Sequence, residues 1–111
     1  MTPRLTADFW VRAYLARLEQ AGIPAFVTAK GDATAGAVLV KVASLDGQAK
    51  AYQRSFDLMS ESRVWVVLID ADEPAVDAAI VRQRRFDSDL WVIELEDRQG
   101  RSLLEESGLN E

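Results

Sequence analysis

The sequence predicts an α+β fold: a mostly antiparallel five-stranded sheet with two main helices packed on it and a short C-terminal helix. Two segments repeat apolar residues at helical spacing, and five show the alternation or the apolar runs of strands. Glycine, proline and aspartate separate these segments, as expected of turns. With 111 residues, 49% of them hydrophobic and 28% charged, the chain has the size and composition of one globular domain, residues 1–111.

The first helix is predicted over Thr6–Gln20, and Gly22 and Pro24 supply its stop signal. Its apolar stripe consists of Phe9, Trp10, Ala13, Tyr14 and Leu18. Such a stripe is typical of a helix that packs on a core. An aromatic partner-binding face around Trp10 is the alternative.

A short strand over Ala25–Ala29 leads into the glycine loop, Lys30–Gly36, and then into an alternating strand over Ala37–Ala43. We expect a hairpin loop here, with glycines at positive φ. The phosphate-binding loop pattern fails, because Lys and Ser or Thr do not follow its second glycine. Anion binding by the loop amides and Lys30 is the alternative, with Gly31 and Asp32 in the same loop.

Asp46 and Gly47 predict a tight turn. The following strand, Gln48–Arg54, is polar enough for a sheet edge. Ser55–Ser62 is predicted to be a loop. The strand Arg63–Ile69 is apolar on both faces, which is typical of a central strand.

The second helix begins at the acidic, proline-containing segment Asp70–Pro74 and ends among arginines. The last strand alternates strongly, with Trp91, Ile93 and Leu95 on one face. The strand Arg63–Ile69, the second helix and this last strand form a βαβ-like unit. A short helix is expected over Arg101–Ser107.

Three groups of residues together resemble the bacterial family known as the domain of unknown function 1491. They are Trp10-Val11; Lys30-Gly31-Asp32 with Gly36-Ala37-Val38 and Lys41; and Arg85-Phe86-Asp87 with Asp89, Trp91, Glu94, Glu96, Asp97 and Gly100. The resemblance implies a compact bacterial domain in the cytoplasm and no particular activity or catalytic residue. Ser88 stands where the family pattern has proline, which implies a less rigid turn.

The chain contains no cysteine and no histidine, which excludes disulfides, thiolate catalysis and imidazole proton transfer. A metal site would need carboxylates and carbonyls, the ligands of Mg²⁺, Mn²⁺ or Ca²⁺. The net charge of −5 argues against nucleic acid, and no apolar run is long enough to span a membrane. We therefore expect a cytoplasmic protein, and the sequence indicates no cofactor.

Five carboxylates fall within the last strand and its flanks: Asp87, Asp89, Glu94, Glu96 and Asp97. Glu94 and Glu96 share one strand face, roughly 7 Å apart. With Asp32 they form a candidate set of metal ligands, and Lys41 or Arg85 could steady developing negative charge. The alternative is a solvated sheet face with modest ion pairs.

Three functional hypotheses follow. The favoured one is a non-catalytic interaction module that binds itself, through a strand edge or the Trp10 face, or an unknown protein partner. The second is a Mg²⁺- or Mn²⁺-dependent phosphoesterase or nuclease-like enzyme that uses the carboxylates. The third is an anion or nucleotide binder that uses the Lys30–Gly36 loop. The sequence assigns no catalytic residue and leaves open whether the protein is an enzyme.

Overall fold

The computed structural model describes residues 5–110, which form two helices and five strands. In chain order these are α1 (Ala7–Gln20), β1 (Ala25–Ala29), β2 (Val38–Ala43), β3 (Gln48–Asp57), β4 (Ser62–Asp72), α2 (Glu73–Phe86) and β5 (Trp91–Glu96). The strands form one sheet in the order β1-β5-β2-β3-β4. Within this sheet β2 and β5 are parallel and the other pairs antiparallel. The predicted α+β class and mostly antiparallel sheet are confirmed.

The two helices cover opposite faces of the sheet. Trp10, Tyr14 and Leu18 of α1 pack against alternate residues of β2 and β5, and three leucines of the C-terminal segment complete this core. On the other face Val76 of α2 packs against the intervening residues, such as Leu39 of β2. Because successive strand residues point to opposite faces, the alternation predicted for the last strand supplies both cores.

The second helix and the strands on either side of it form the expected βαβ-like unit. Asp72 precedes α2, and Pro74 lies in its first turn, where a missing N–H costs nothing. The strand pairings make β4 and β5 parallel, with β3 and β2 between them. The helix therefore crosses two strands before the chain re-enters the sheet.

The glycine loop between β1 and β2 is not the predicted hairpin, because β5 lies between these strands. Its glycines do not adopt positive φ. Instead, a Cβ on Gly36 would lie 2.5 Å from the carbonyl oxygen of Asp89, and a Cβ on Gly31 would lie closer still. The Trp91 indole N–H donates to the Asp32 carbonyl at 2.8 Å. These glycines are required by the close crossing of the loop over the start of β5.

Strands β3 and β4 exchange the positions predicted for them. β3 lies between β2 and β4, with Ala49 and Ala51 buried against α2, whereas β4 is an edge strand. Half of the predicted loop over Ser55–Ser62 is strand, and the other half is the turn at residues 58–61 that joins β3 to β4. The prediction was wrong because an apolar run also suits an edge strand whose two faces are partly covered by helices.

The predicted C-terminal helix does not form, and residues 104–109 adopt turns instead. Leu103 has φ of 61°, which interrupts a right-handed helix. This path buries Leu104 and Leu109 in the α1 core and brings the Ser102 carbonyl within 2.7 Å of the Tyr14 hydroxyl, which donates to it. Neither helix among residues 5–110 has the length and apolar run needed to cross a membrane.

Candidate functional site

Lys41 lies at the centre of a charged cluster beneath α2. It sits on β2 directly opposite Glu94 of β5, and its side chain is only 3% exposed. Its ammonium donates to Glu94 at 2.8 Å, to Glu73 at 2.8 Å and to Asp77 at 2.6 Å. The last two carboxylates come from the first turns of α2, where they share one helix face by their four-residue spacing. The cluster therefore ties two strands to a helix through one nitrogen atom.

The environment of Lys41 keeps its side chain protonated. Burial by itself would lower the pKa of Lys41, but hydrogen bonds to Asp77, Glu73 and Glu94 outweigh it and raise the pKa above 10.5. An ammonium held in this way has no lone pair for nucleophilic attack or proton abstraction at neutral pH. The cluster is therefore a structural tether in which three carboxylates surround one ammonium, with a formal charge of −2.

The three predicted metal ligands do not converge. Glu94 binds Lys41, and Glu96 is exposed at the far end of β5. Asp32 lies at the start of β5, where its amide donates to the Asp89 carbonyl at 3.0 Å. The length of the strand separates the two ends by roughly 17 Å. Within residues 5–110 no group of three or more Asp, Glu, His or Cys side chains is arranged to hold a metal ion.

The predicted anion-binding loop already satisfies some of its own amides. The Asp32 carboxylate accepts from the amides of Thr34 at 3.2 Å and Ala35 at 2.8 Å. An incoming anion would have to displace this carboxylate to reach them. Lys30 is exposed at one end of the loop, and Arg85 is exposed near the end of α2.

Two members of the charged cluster, Glu73 and Asp77, were missed by the sequence reasoning. Their signal was available in part, because a lysine in an apolar strand needs carboxylate partners if it is buried. The partners come from 32 and 36 residues away, so local spacing did not identify them. Lys41 and Glu94 were singled out from the sequence, and the structure brings them together.

The aromatic residues of α1 and β4 form an internal stack. Trp10 is 4% exposed, so the helix face proposed as a partner surface lies in the core. The Arg54 guanidinium carbon lies 4.8 Å from the Trp10 ring and 4.7 Å from the Trp65 ring, and such cation–π contacts are stabilising. The Trp65 indole donates to the Leu109 carbonyl at 3.1 Å. The stack packs β3 and β4 against α1 and the C-terminal segment.

The outer edge of β4 is the longest unpaired strand edge among residues 5–110. β4 has 11 residues and borders only β3, whereas the opposite edge strand, β1, has five. Six consecutive residues of β4, Val64–Ile69, carry no charge, and Val67 is 50% exposed. The pairing register shifts between Val67 and Ile69, so Leu68 is a bulged residue. A long uncharged edge of this kind is a template for pairing with another strand.

These observations define a small α+β domain whose sheet has one long edge with an uncharged run, the outer edge of β4. The chain belongs to the DUF1491 family, described as proteins of unknown function, whose sequence pattern matches residues 5–105. The family resemblance noted from the sequence is therefore confirmed. No curated protein matches the chain.

Solved structures of bacterial relatives share the fold. A crystal structure of a DUF1491 family protein from Caulobacter crescentus CB15 is 42% identical and covers 93% of this chain and 97% of its own, with a TM-score of 0.85. An NMR structure of a DUF1491 family protein from the same organism is 41% identical over 95% of this chain and 96% of its own, with a TM-score of 0.82. Protein Atu0922 from A. tumefaciens is 32% identical over 85% of this chain and 86% of its own, with a TM-score of 0.72.

Proposed function

We propose that this protein is a non-catalytic interaction module that binds its partner by adding a strand to the outer edge of β4. The observation that carries the proposal is the uncharged run Val64–Ile69 on an 11-residue edge strand. In strand addition, backbone hydrogen bonds supply affinity and alternate side chains supply specificity. An edge that must avoid other chains usually carries lysine, proline, an inward-pointing charge or a β-bulge. This run carries none of the first three, and its one bulge, at Leu68, leaves Ser62–Val67 in unbroken pairing with β3.

The two edges of the sheet differ in a way that favours β4. Each edge strand contains one register shift, but β1 keeps only three residues, Ala25–Val27, in unbroken register with β5, whereas β4 keeps six, Ser62–Val67, in unbroken register with β3. β4 provides more than twice as many backbone groups, and its charged residues lie outside the run. Lys41 supports a non-catalytic role, because its three carboxylate partners keep it as a structural cation.

The test uses one lysine on each edge. Val67→Lys places a charge on the outer edge of β4, and Val27→Lys is the matched control, since Val67 is 50% and Val27 is 40% exposed. Both variants and the wild type are assayed by sedimentation for self-association and by affinity capture from a bacterial extract. We expect complexes of the wild type to be lost with Val67→Lys and kept with Val27→Lys. Complexes that survive Val67→Lys, or a wild type that forms none, would overturn the proposal.

A further inference from the structure

The bulge in β4 gives its outer edge an unusual self-complementarity. In an unbroken strand, residues seven apart point to opposite faces of the sheet. Here Arg63 pairs with Phe56 of β3 and Asp70 pairs with Lys50, and these β3 residues are six apart and so share a face. The extra residue, Leu68, therefore turns Arg63 and Asp70 to the same face, on either side of the uncharged run.

From this geometry we infer that the strand added to β4 is the β4 strand of a second copy of this chain, an inference that rests on the proposed function. A two-fold axis perpendicular to the sheet would place Val66 opposite the partner's Val66. Trp65 would then lie opposite the partner's Val67. With Leu68 as the bulged residue in both copies, Val64 meets the partner's Ile69.

The same register brings opposite charges together at both ends of the run. Arg63 lies opposite the partner's Asp70, and Asp70 lies opposite the partner's Arg63. Residues directly opposite each other must share a face, and the bulge meets this condition for the charged pair and for the pair of Val64 with Ile69, whose β3 partners are Ser55 and Ala51. The symmetric pair would join two five-stranded sheets into one of ten strands and cover the half-exposed Val67.

The register predicts the behaviour of two charge-reversal variants. Arg63→Asp puts two aspartates opposite each other at both ends of the run in a homodimer, and Asp70→Arg puts two arginines there. We expect each variant alone to dimerise at least tenfold more weakly than the wild type, since two cross-strand attractions become repulsions in each case. An equimolar mixture of the two restores both opposite-charge pairs, so we expect a one-to-one heterodimer.

The experiment is sedimentation equilibrium of the wild type, of each variant and of their mixture, with a thermal melt of each to verify folding. Recovery of the dimer in the mixture also shows that both variants fold. Weak dimers of each variant alone, with dimer recovered on mixing, support this register. A wild type that stays monomeric, variants that dimerise like the wild type, or a mixture that forms no heterodimer would overturn it. If the wild type is monomeric yet Val67→Lys abolishes capture of another protein, self-pairing fails and strand addition at β4 stands.

Discussion

Replacement of Lys41 by methionine tests whether the charged cluster under α2 is a structural tether. Methionine keeps most of the aliphatic stem that packs between β2 and α2 but removes the ammonium. Three carboxylates then remain around the empty position of one nitrogen. We expect the variant to fold with a markedly lower free energy of unfolding than the wild type at pH 7.

The magnitude follows from the distances in the cluster. Each carboxylate oxygen lies within 2.8 Å of the Lys41 nitrogen, so the charges repel once that nitrogen is gone. Two such oxygens are at most about 5.6 Å apart, and unit charges at that distance repel by about 0.7 kcal/mol in water and about 3 kcal/mol at an effective dielectric constant of about 20. The carboxylate side chains are 33–53% exposed, so each of the three repulsions lies near the lower value. The lost hydrogen bonds add to this destabilisation, whereas the variant no longer pays the desolvation cost of a buried ammonium. We expect the free energy of unfolding to fall by about 3 kcal/mol in total.

Urea denaturation at a series of pH values measures the free energy of unfolding of both proteins. In a thermal melt at pH 7, the melting temperature of the variant should be roughly 10–15 °C lower. In the wild type the pKa of Lys41 is raised in the folded state, so its contribution is complete below pH 10.5 and is lost only as the pH rises through the higher folded value. The variant has no ammonium to deprotonate, so the gap in stability between the two proteins should narrow as the pH rises above 10.5.

Lys50→Met is the matched control on the neighbouring strand. Lys50 is 49% exposed and lies 3.8 Å from a single carboxylate, that of Asp70, so its loss should change stability by less than about 1 kcal/mol. If Lys41→Met is as mild as this control at pH 7, or if its deficit does not depend on pH, the tether argument is refuted.

Three further substitutions, one of them with its own control, test individual contacts of the fold. Gly31→Ala should lower stability by about 2–4 kcal/mol in urea titrations, because the new Cβ would collide with backbone, whereas Gly100→Ala, at positive φ in open space, should cost about 1 kcal/mol. Tyr14→Phe removes a buried hydrogen bond of 2.7 Å to a backbone carbonyl and should cost about 1–2 kcal/mol, with unchanged stability as the contrary result. Asp97→Asn should be less stable than the wild type above pH 3.8, because hydrogen bonding from Arg101 holds the pKa of Asp97 below that value. Thermal melts from pH 7 to pH 2 should show this difference in stability shrink as the pH falls below 3.8, and a difference that is constant over the whole range would contradict the assignment.

The elements whose buried residues follow from one local spacing pattern were predictable from the sequence. The stripe on α1 and the alternation of β5 place Tyr14, Trp91 and Ile93 in the core, where they are found. The tight turn at Asp46 and Gly47 also joins the strands expected of it, β2 and β3. In each case the signal is local, because spacing along the chain determines which side chains share a face.

Strand order was not predictable, because it depends on contacts between distant segments. The glycine loop has the composition of a hairpin, yet β5 enters between the two strands that it connects. The C-terminal segment was not predictable for the same reason. Around Leu103, burial of neighbouring leucines outweighs a moderate helix propensity. In the candidate site, Lys41 and Glu94 were identified, whereas their helical partners were not, since only the path of α2 over the sheet brings them there.

The position of β5 bears on how the chain acquires its structure during synthesis. β1 hydrogen-bonds only to β5 among the strands within residues 5–110, and 61 residues separate the end of one from the start of the other (30–90). As the ribosome releases the chain from its amino end, neither β1 nor the free edge of β2 can form its pairing with β5 until β5 has been synthesised. The slow step of folding should therefore be the insertion of β5 into the gap, and a nascent chain stalled before Trp91 would expose two strand edges to chaperones.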